Sequence, residues 1–344
     1  MIWNAILIAE FFQGMYRQTV RLGKGLRPRL SERNGDGNLA QARMLEGKVV
    51  LVTGAGGGIG RDIALMSAAQ GAAVVVNDIG ASLSGAPGSQ DAAQAVVAEI
   101  EAMGGRALTS RANVADPEAT ANMVAEAVAA FGRLDGIVNN AGILRDGYFH
   151  KMTFEDFEAV IRVHLFGSFN VSRAAAEQFR IQNSGACVHM TSTSGLIGNR
   201  AQANYSAAKA GIVGLSKSIA LDMERFGVRS NCVAPFAWSR MTSSIKVDSP
   251  EQEARVAKMK EMKGEKVAAL VIYLLSEAAS HVTGQIFTSR NNEISLMSQS
   301  RPLRSIHRDG GWTPETIASH AMPALAPSFY KLDVTSDVLS WDPV

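Results

Sequence analysis

The chain has 344 residues, 47% hydrophobic and 19% charged, which is enough apolar material for a sizeable core. With 34 basic residues against 32 acidic ones the net charge is +2, so no global field draws nucleic acid. Two cysteines make no disulfide framework, and 6 scattered histidines lack the spacing of metal ligands.

The opening run "MIWNAILIAEFF" is interrupted by Asn4 and Glu10 and is too short to span a bilayer. It lacks the cationic start of a secretory signal, and basic residues follow it from Arg17 to Arg33. Residues 1–43 are expected to be an extension outside the working domain. A docking helix or a weak membrane-surface anchor is the alternative. From Met44 the pattern changes. Apolar runs fall at 49–54, 72–78, 106–114, 134–142, 185–193, 228–235 and 284–289. Continuous Val/Ile/Leu runs suit strands buried on both faces of a parallel sheet. Helical stretches separate them at 59–70, 91–103, 117–131, 154–182, 204–226 and 264–279. In the fourth, Phe154, Phe157, Ile161, Leu165 and Phe169 recur at helical spacing and read as core or subunit contact. Strict β-α alternation predicts one doubly wound, Rossmann-like α/β domain over 44–300. Its sheet is expected to be seven-stranded and mostly parallel, with helices on both faces. "ASLSGAPGSQ" (81–90) reads as a surface loop, and 301–344 as a tail over the surface or a partner subunit.

The first strand runs into "GAGGGIG" (54–60), which opens a helix. Glycines there let backbone N–H groups approach a pyrophosphate at the helix N-terminus. Gly54, Gly58, Ile59 and Gly60 are the candidate phosphate-binding positions. Asp78 ends the second strand, close to the distance at which a carboxylate holds an adenosine ribose. That carboxylate accepts from a 2′-hydroxyl and repels a 2′-phosphate, and no Arg or Lys sits close by. NAD is therefore favoured over NADP.

The spacing Gly54-x-x-x-Gly58-x-Gly60 resembles the T-G-x-x-x-G-x-G motif of the short-chain dehydrogenase/reductase family. The resemblance continues at "NNAG" (139–142), at Ser192 and at "YSAAK" (205–209), and covers roughly 46 to 290. It implies that Tyr205 is the acid/base, that Ser192 holds the substrate oxygen, and that Lys209 tunes the tyrosine and binds the nicotinamide ribose. A lysine four residues after a tyrosine shares its helix face, and an ammonium there favours the phenolate over the usual pKa of about 10. The resemblance also places Asn139, Ala141, Gly142 and Pro235 beside the cofactor. Where the family has an asparagine on the preceding helix, this chain has His164, which could bridge the same water or be a structural histidine.

"NNAGILRD", "RVHLFGSF", "GQANYSAAKAG" and "GWTPETI" resemble the (3R)-hydroxyacyl-CoA dehydrogenase branch of the peroxisomal multifunctional enzymes. That branch also acts on 17β-hydroxysteroids and carries the same histidine. "ANV" then places Asn113 and Val114 near the adenine. The implied substrate is a 3-hydroxyacyl-CoA, with a steroid-derived acyl group as a variant. A 3-oxoacyl thioester reductase and an idle NAD-binding scaffold are the alternatives. Met241 and Thr242 begin an expected substrate lid over 243–263. Its Lys246, Arg255, Lys258, Lys260 and Lys263 read as a solvated face, with CoA phosphates as the alternative. Small residues on the helices of His164 and Tyr205 predict a homodimer or homotetramer. A cytoplasmic location is expected, with no nucleic-acid partner, no metal and no membrane span.

Overall fold

The computed structural model describes residues 43–82, 84–85, 91–237 and 249–342. The expected extension, most of the 81–90 loop and the start of the lid, including Met241, lie outside the described residues.

The chain builds β1 (Val49–Thr53), α1 (Gly58–Ala69), β2 (Ala73–Asn77), α2 (Ala92–Ala102), β3 (Arg106–Ser110), α3 (Pro117–Phe131) and β4 (Gly136–Asn139). It continues with α4 (Phe154–Ile161), α5 (Gly167–Gln182), β5 (Gly185–Met190), α6 (Thr193–Leu196), α7 (Ala203–Asp222) and β6 (Val228–Phe236). Then come α8 (Pro250–Lys260), α9 (Gly264–Leu275), β7 (Ile286–Arg290) and β8 (Glu293–Leu296). The strand order is β3-β2-β1-β4-β5-β6-β7-β8, parallel up to the β6–β7 pair. The sheet has eight strands rather than the seven expected. β8 folds back antiparallel on β7, and its short "EISL" leaves Ile294 and Leu296 exposed, so no continuous apolar run marked it.

Strands β1, β2, β4 and β5 are buried on both faces, whereas β3 at the sheet edge is only part-buried. Val50, Val52, Val74, Val76 and Val188 pack against Ile63 of α1, Val96 of α2 and Val267 of α9. Leu51, Val75, Ile137 and Cys187 face Met123 of α3 and Val171 and Phe179 of α5. Local chemistry sets the ends of α3. The Asp116 side chain accepts the Glu118 and Ala119 N–H groups, Pro117 opens the first turn, and Gly132 at φ 78° ends the last.

The expected helix 154–182 is broken by one π turn, Arg162–Phe166, with His164 at its centre. Single π turns inside α-helices are frequent at functional sites. Towards the C-terminus, β8 leads to short helical pieces ending in Thr335–Val338. There Thr335 N–H donates to the Gly198 carbonyl at 3.1 Å, and Asp342 pairs with Lys258 of α8. The tail thus lies on its own chain at this point.

His189 of β5 is fully buried. The Asn139 amide donates to its Nδ1 at 3.1 Å, which leaves the proton on Nε2, where no group meets it among the described residues. Burial first and Lys209 second push His189 down to about 4 from its usual 6.5. The unfolded chain therefore binds a proton that the folded chain refuses between these values, so stability falls as pH drops through that window. Unfolding free energy from denaturant titration should decline from pH 6.5 to 4. His189→Gln, which keeps an acceptor for Asn139 but does not titrate, should flatten the decline; an unchanged slope would refute this.

Candidate active site

The cleft opens at the C-terminal edge of the sheet between β1 and β4, where the strand order reverses. Thr53 closes β1 there. Its hydroxyl donates to the Val138 carbonyl at 3.2 Å and accepts the N–H groups of Asn140 and Ala141 at 3.0 and 3.1 Å. The Asn140 amide returns two bonds of 3.0 Å, to the carbonyls of Thr53 and Gly54. Gly54 stands at φ 62°, and a Cβ on it would come within 2.8 Å of the Ala141 backbone. A Cβ on Gly60 would strike the Gly54 carbonyl at 2.2 Å. These glycines are demanded by close backbone approach, and α1 starts at Gly58 with no side-chain cap on its first N–H groups.

A cavity of about 510 Å³ follows, lined by Gly54, Gly58, Ile59, Gly60, Asp78, Asn113, Val114, Ala141 and Gly142 among others. Asp78 accepts the N–H of Gly56 at 2.8 Å and of Gly80 at 2.7 Å, so the carboxylate is fixed at the cleft wall. Asn113 accepts from Ala115 N–H at 3.0 Å. Val114 fits against Gly167, where a Cβ would approach it to 2.8 Å, and its carbonyl accepts from Asn170 at 2.9 Å. A bare backbone loop at a helix N-terminus, with a fixed carboxylate on the neighbouring strand, fits a dinucleotide. Asn139 departs from expectation. Its amide turns into the core, to Ser172 Oγ at 3.0 Å, the Ser168 carbonyl at 3.3 Å and His189, and it does not line the cavity. The adjacent Asn140 takes the cleft position, because successive side chains of a strand face opposite ways.

Beyond Gly142 lies the second half of the cleft. A Cβ on Gly142 would sit 2.2 Å from His164 Cε1, so only glycine lets that ring pass. His164 meets Tyr205 edge to face, with ring centroids 5.2 Å apart. Its Nε2 lies 2.8 Å from the Ile143 carbonyl oxygen and 3.1 Å from the Ile143 nitrogen, and its buried Nδ1 has no partner among the described residues. Burial, then Lys209, push His164 down to about 3, so the ring is neutral. Ser192 caps α6 by accepting Ser194 N–H at 3.1 Å. Gly195 lets α6 press onto α7, since a Cβ there would lie 2.6 Å from Ala210 N. That contact sets Ser192 beside Tyr205. The Lys209 Nζ is 5.4 Å from the Tyr205 ring centroid and donates to the Met190 carbonyl at 2.6 Å.

The ionisation of the pair differs from the sequence expectation. Burial raises Tyr205 to about 12, against the downward pull of Ser192, and burial lowers Lys209 to about 7. Desolvation penalises both charged forms by more than a single lysine offsets at this distance. Pro235, the last residue but one of β6, lies at the same sheet edge, half-buried and paired with Ser289. Two further residues, Asn204 and Gln202, hold the site without having been singled out, beside Ser194, the other serine that "TSTS" (191–194) offers. The fully buried Asn204 donates to the Arg145 and Asp156 carbonyls at 2.8 and 3.2 Å, and accepts Tyr205 N–H at 2.7 Å. It ties the start of α7 to α4. Ser194 meets Ser192 at 3.2 Å, and Gln202 meets Ser194 at 2.8 Å. Their signal was present only as polar residues beside catalytic ones.

A family model described as short chain dehydrogenase matches residues 48–250. A short-chain type dehydrogenase/reductase of Mycobacterium tuberculosis is 46% identical over 233 residues, covering 68% of this chain and 79% of that protein. Peroxisomal multifunctional enzyme type 2 of Mus musculus is 42% identical over 281 residues, 81% of this chain. The match spans only 37% of that larger enzyme. A 3-oxoacyl-[acyl-carrier-protein] reductase of Synechocystis is 40% identical over 71% of this chain and 95% of its own. The crystal structure of a short chain dehydrogenase from Mycobacterium avium superposes with a TM-score of 0.74 at 39% identity, covering 85% of this chain and 99% of that one. With the glycine cradle at the strand reversal and Ser192, Tyr205 and Lys209 gathered beyond it, the chain belongs to the short-chain dehydrogenase/reductase family of oxidoreductases.

Proposed function

We propose that the protein interconverts a secondary alcohol and a ketone with NAD, and that the alcohol is a 3-hydroxyacyl-CoA. The observation that carries this reading is the meeting of Ser192, Tyr205 and His164 at the inner end of the dinucleotide cleft. Nicotinamide supplies the hydride acceptor and, when oxidised, a positive charge that opposes the burial effect on the phenol. The protein's own residues handle the oxygen. Tyr205 Oη exchanges the hydroxyl proton with the substrate, and Ser192 holds the same oxygen. Lys209, anchored on Met190, fixes the floor beneath them and adds the cation that stabilises a phenolate once formed. His164 packs edge to face on the Tyr205 ring, and its buried Nδ1, with no partner among the described residues, offers a place for a proton-carrying water.

Asp78 supports NAD over NADP, because a fixed carboxylate accepts a ribose hydroxyl and repels a phosphate. The similarity to the multifunctional enzyme over most of this chain supports the acyl-CoA thioester, and a steroid-derived acyl group is a variant of the same class. The likeness to the Synechocystis reductase supports a second reading, reduction of a 3-oxoacyl thioester, which the same site would run in reverse. Phe154, Phe166 and Phe169 are 71%, 48% and 50% exposed around the π turn, an apolar face that supports a homodimer or homotetramer. Buried, unpaired Cys187 and Cys232 accord with a reducing compartment such as the cytoplasm.

Three outcomes test this. Tyr205→Phe should cut kcat on 3-hydroxybutyryl-CoA by about 10²- to 10⁴-fold while NAD binding persists; near-normal turnover would sink the assignment. Asp78→Ala should raise the ratio of kcat/KM for NADP over NAD by at least about tenfold, even though it also loosens the Gly56 loop. Taking the ratio cancels the shared loss. Phe169→Glu should lower the mass seen in sedimentation, and an unchanged mass would remove this face as the subunit contact.

A further inference from the structure

The loop between α6 and α7 is fastened along most of its length. The Gly198 carbonyl accepts from Thr335 N–H at 3.1 Å and from the Thr335 hydroxyl at 3.4 Å. Asn199 Nδ2 donates to Ser194 Oγ at 2.9 Å, and the Ala201 carbonyl accepts Gly147 N–H at 2.8 Å. Gln202 bridges to Gly147 through its backbone, and its side-chain amide spans Asp146 at 2.9 Å and Ser194 at 2.8 Å. Arg200 stands apart. It is exposed, and its side chain has no ion pair or hydrogen bond among the described residues.

Ala201 takes a left-handed φ of 59°, a conformation that costs energy in any residue with a Cβ. Such strain persists where surrounding contacts over-determine the backbone, and it clusters at ligand clamps. Here the strained residue separates a half-buried Gln202 from an exposed Arg200. Across the bridge, Gly147 leads into the 3-10 turn Phe149–Lys151. Lys151 closes that turn, is exposed, and likewise has no ion pair among the described residues. Two uncommitted cations therefore flank one braced point of the backbone. The carboxylate nearest in sequence, Asp146, is held by the Gln202 amide. In the lid, by contrast, Lys258 is already paired with Asp342. Neither Arg200 nor Lys151 lines the dinucleotide cavity, and Gln202 connects through Ser194 to Ser192, so this rim belongs to the substrate end.

We propose that Arg200 and Lys151 form a phosphate-binding rim that holds the nucleotide handle of a CoA thioester, so that the acyl group enters past the Gly147–Gln202 bridge. The phosphates of CoA are joined to the thioester by the long, flexible pantetheine arm. Charge therefore falls at the rim while the reacting carbon lies inside. Arginine presents a planar fork that meets two phosphate oxygens, and lysine adds a point charge. A backbone braced beforehand lowers the ordering cost of binding. Beside them Tyr148 is 60% exposed, a ring surface of the kind on which an adenine stacks. A carrier protein offers a phosphate on the same arm without the adenine, so Tyr148 favours CoA as the source. Both cations are binding residues and stand away from the reacting carbon.

This inference rests on the acyl-thioester reading given above. Its test compares steady-state oxidation of 3-hydroxybutyryl-CoA with that of the N-acetylcysteamine thioester, which keeps the acyl group and lacks phosphate and adenine. Arg200→Gln should raise KM for the CoA thioester about fivefold with kcat unchanged, near the upper worth of an exposed ion pair. Lys151→Gln should raise it about threefold. Neither change should alter kcat/KM for the truncated thioester. Added salt should raise KM for the CoA thioester more in the unaltered protein than in Arg200→Gln. An equal loss on both thioesters would show a structural role, and that result, or an unchanged KM for the CoA thioester, overturns the inference. Tyr148→Ala should weaken the CoA thioester and spare the 4′-phosphopantetheine thioester, which ends at the first phosphate. An Arg200 effect of full size on that shorter thioester, with no effect of Tyr148→Ala on either, would assign the rim to a carrier protein and overturn the choice of CoA. Equal kcat/KM of the unaltered protein on the CoA and truncated thioesters would remove this inference alone. Turnover of neither would remove it together with the proposed function.

Discussion

The clamp between Thr53 and Asn140 is the contact on which the site depends. Strands β1 and β4 run side by side in the sheet, but the chain leaves them toward opposite faces, so a gap opens between their C-terminal ends. Unpaired backbone groups in such a gap would carry a desolvation cost of roughly 1–3 kcal/mol each. Thr53 and Asn140 satisfy two N–H groups and three carbonyls there with two side chains. The floor of the cleft is therefore fixed whatever lies above it. The glycine loop folds over one side of this floor, and Gly142 leads to the catalytic cluster on the other.

The cluster beyond is held by close packing of small residues. Gly142 lets the His164 ring pass, Gly195 lets α6 rest on α7, and Gly167 accepts Val114. Each is a point where a single methyl group would push apart two elements that carry site residues. The π turn at Arg162–Phe166 follows the same logic from the other side. One extra residue in the turn rotates His164 inward over Tyr205, and leaves Phe166 half-exposed on the outer face.

Burial is the energetic theme of the site. Lys209, His164 and His189 lie within one buried region behind Tyr205, and burial works against the charged form of each. A low-dielectric setting raises the cost of any charge and strengthens any partner brought to it. The site is thus poised so that a cation arriving at the cleft changes the phenol more than it would in water.

Much of this was legible in the chain itself. Valine runs marked β1 and β2, where burial on both faces leaves room for little else. The glycine loop, Asp78, Ser192, Tyr205 and Lys209 were legible because backbone approach, strand ends and one helical turn are local matters of spacing. Only the folded chain decided the rest. The strand β8 is short and half-exposed, so it exists by pairing with β7 and not by its own pattern. Whether Asn139 or Asn140 faces the cleft turns on the register of β4. The ionisation of Tyr205 and Lys209 turns on how much water the surrounding helices exclude. The hydrogen bond from Gln202 to Asp146 joins two stretches far apart in the chain. Sequence spacing determines what a residue can do within a turn of its neighbours, while direction, burial and charge belong to contacts between segments that meet only in three dimensions.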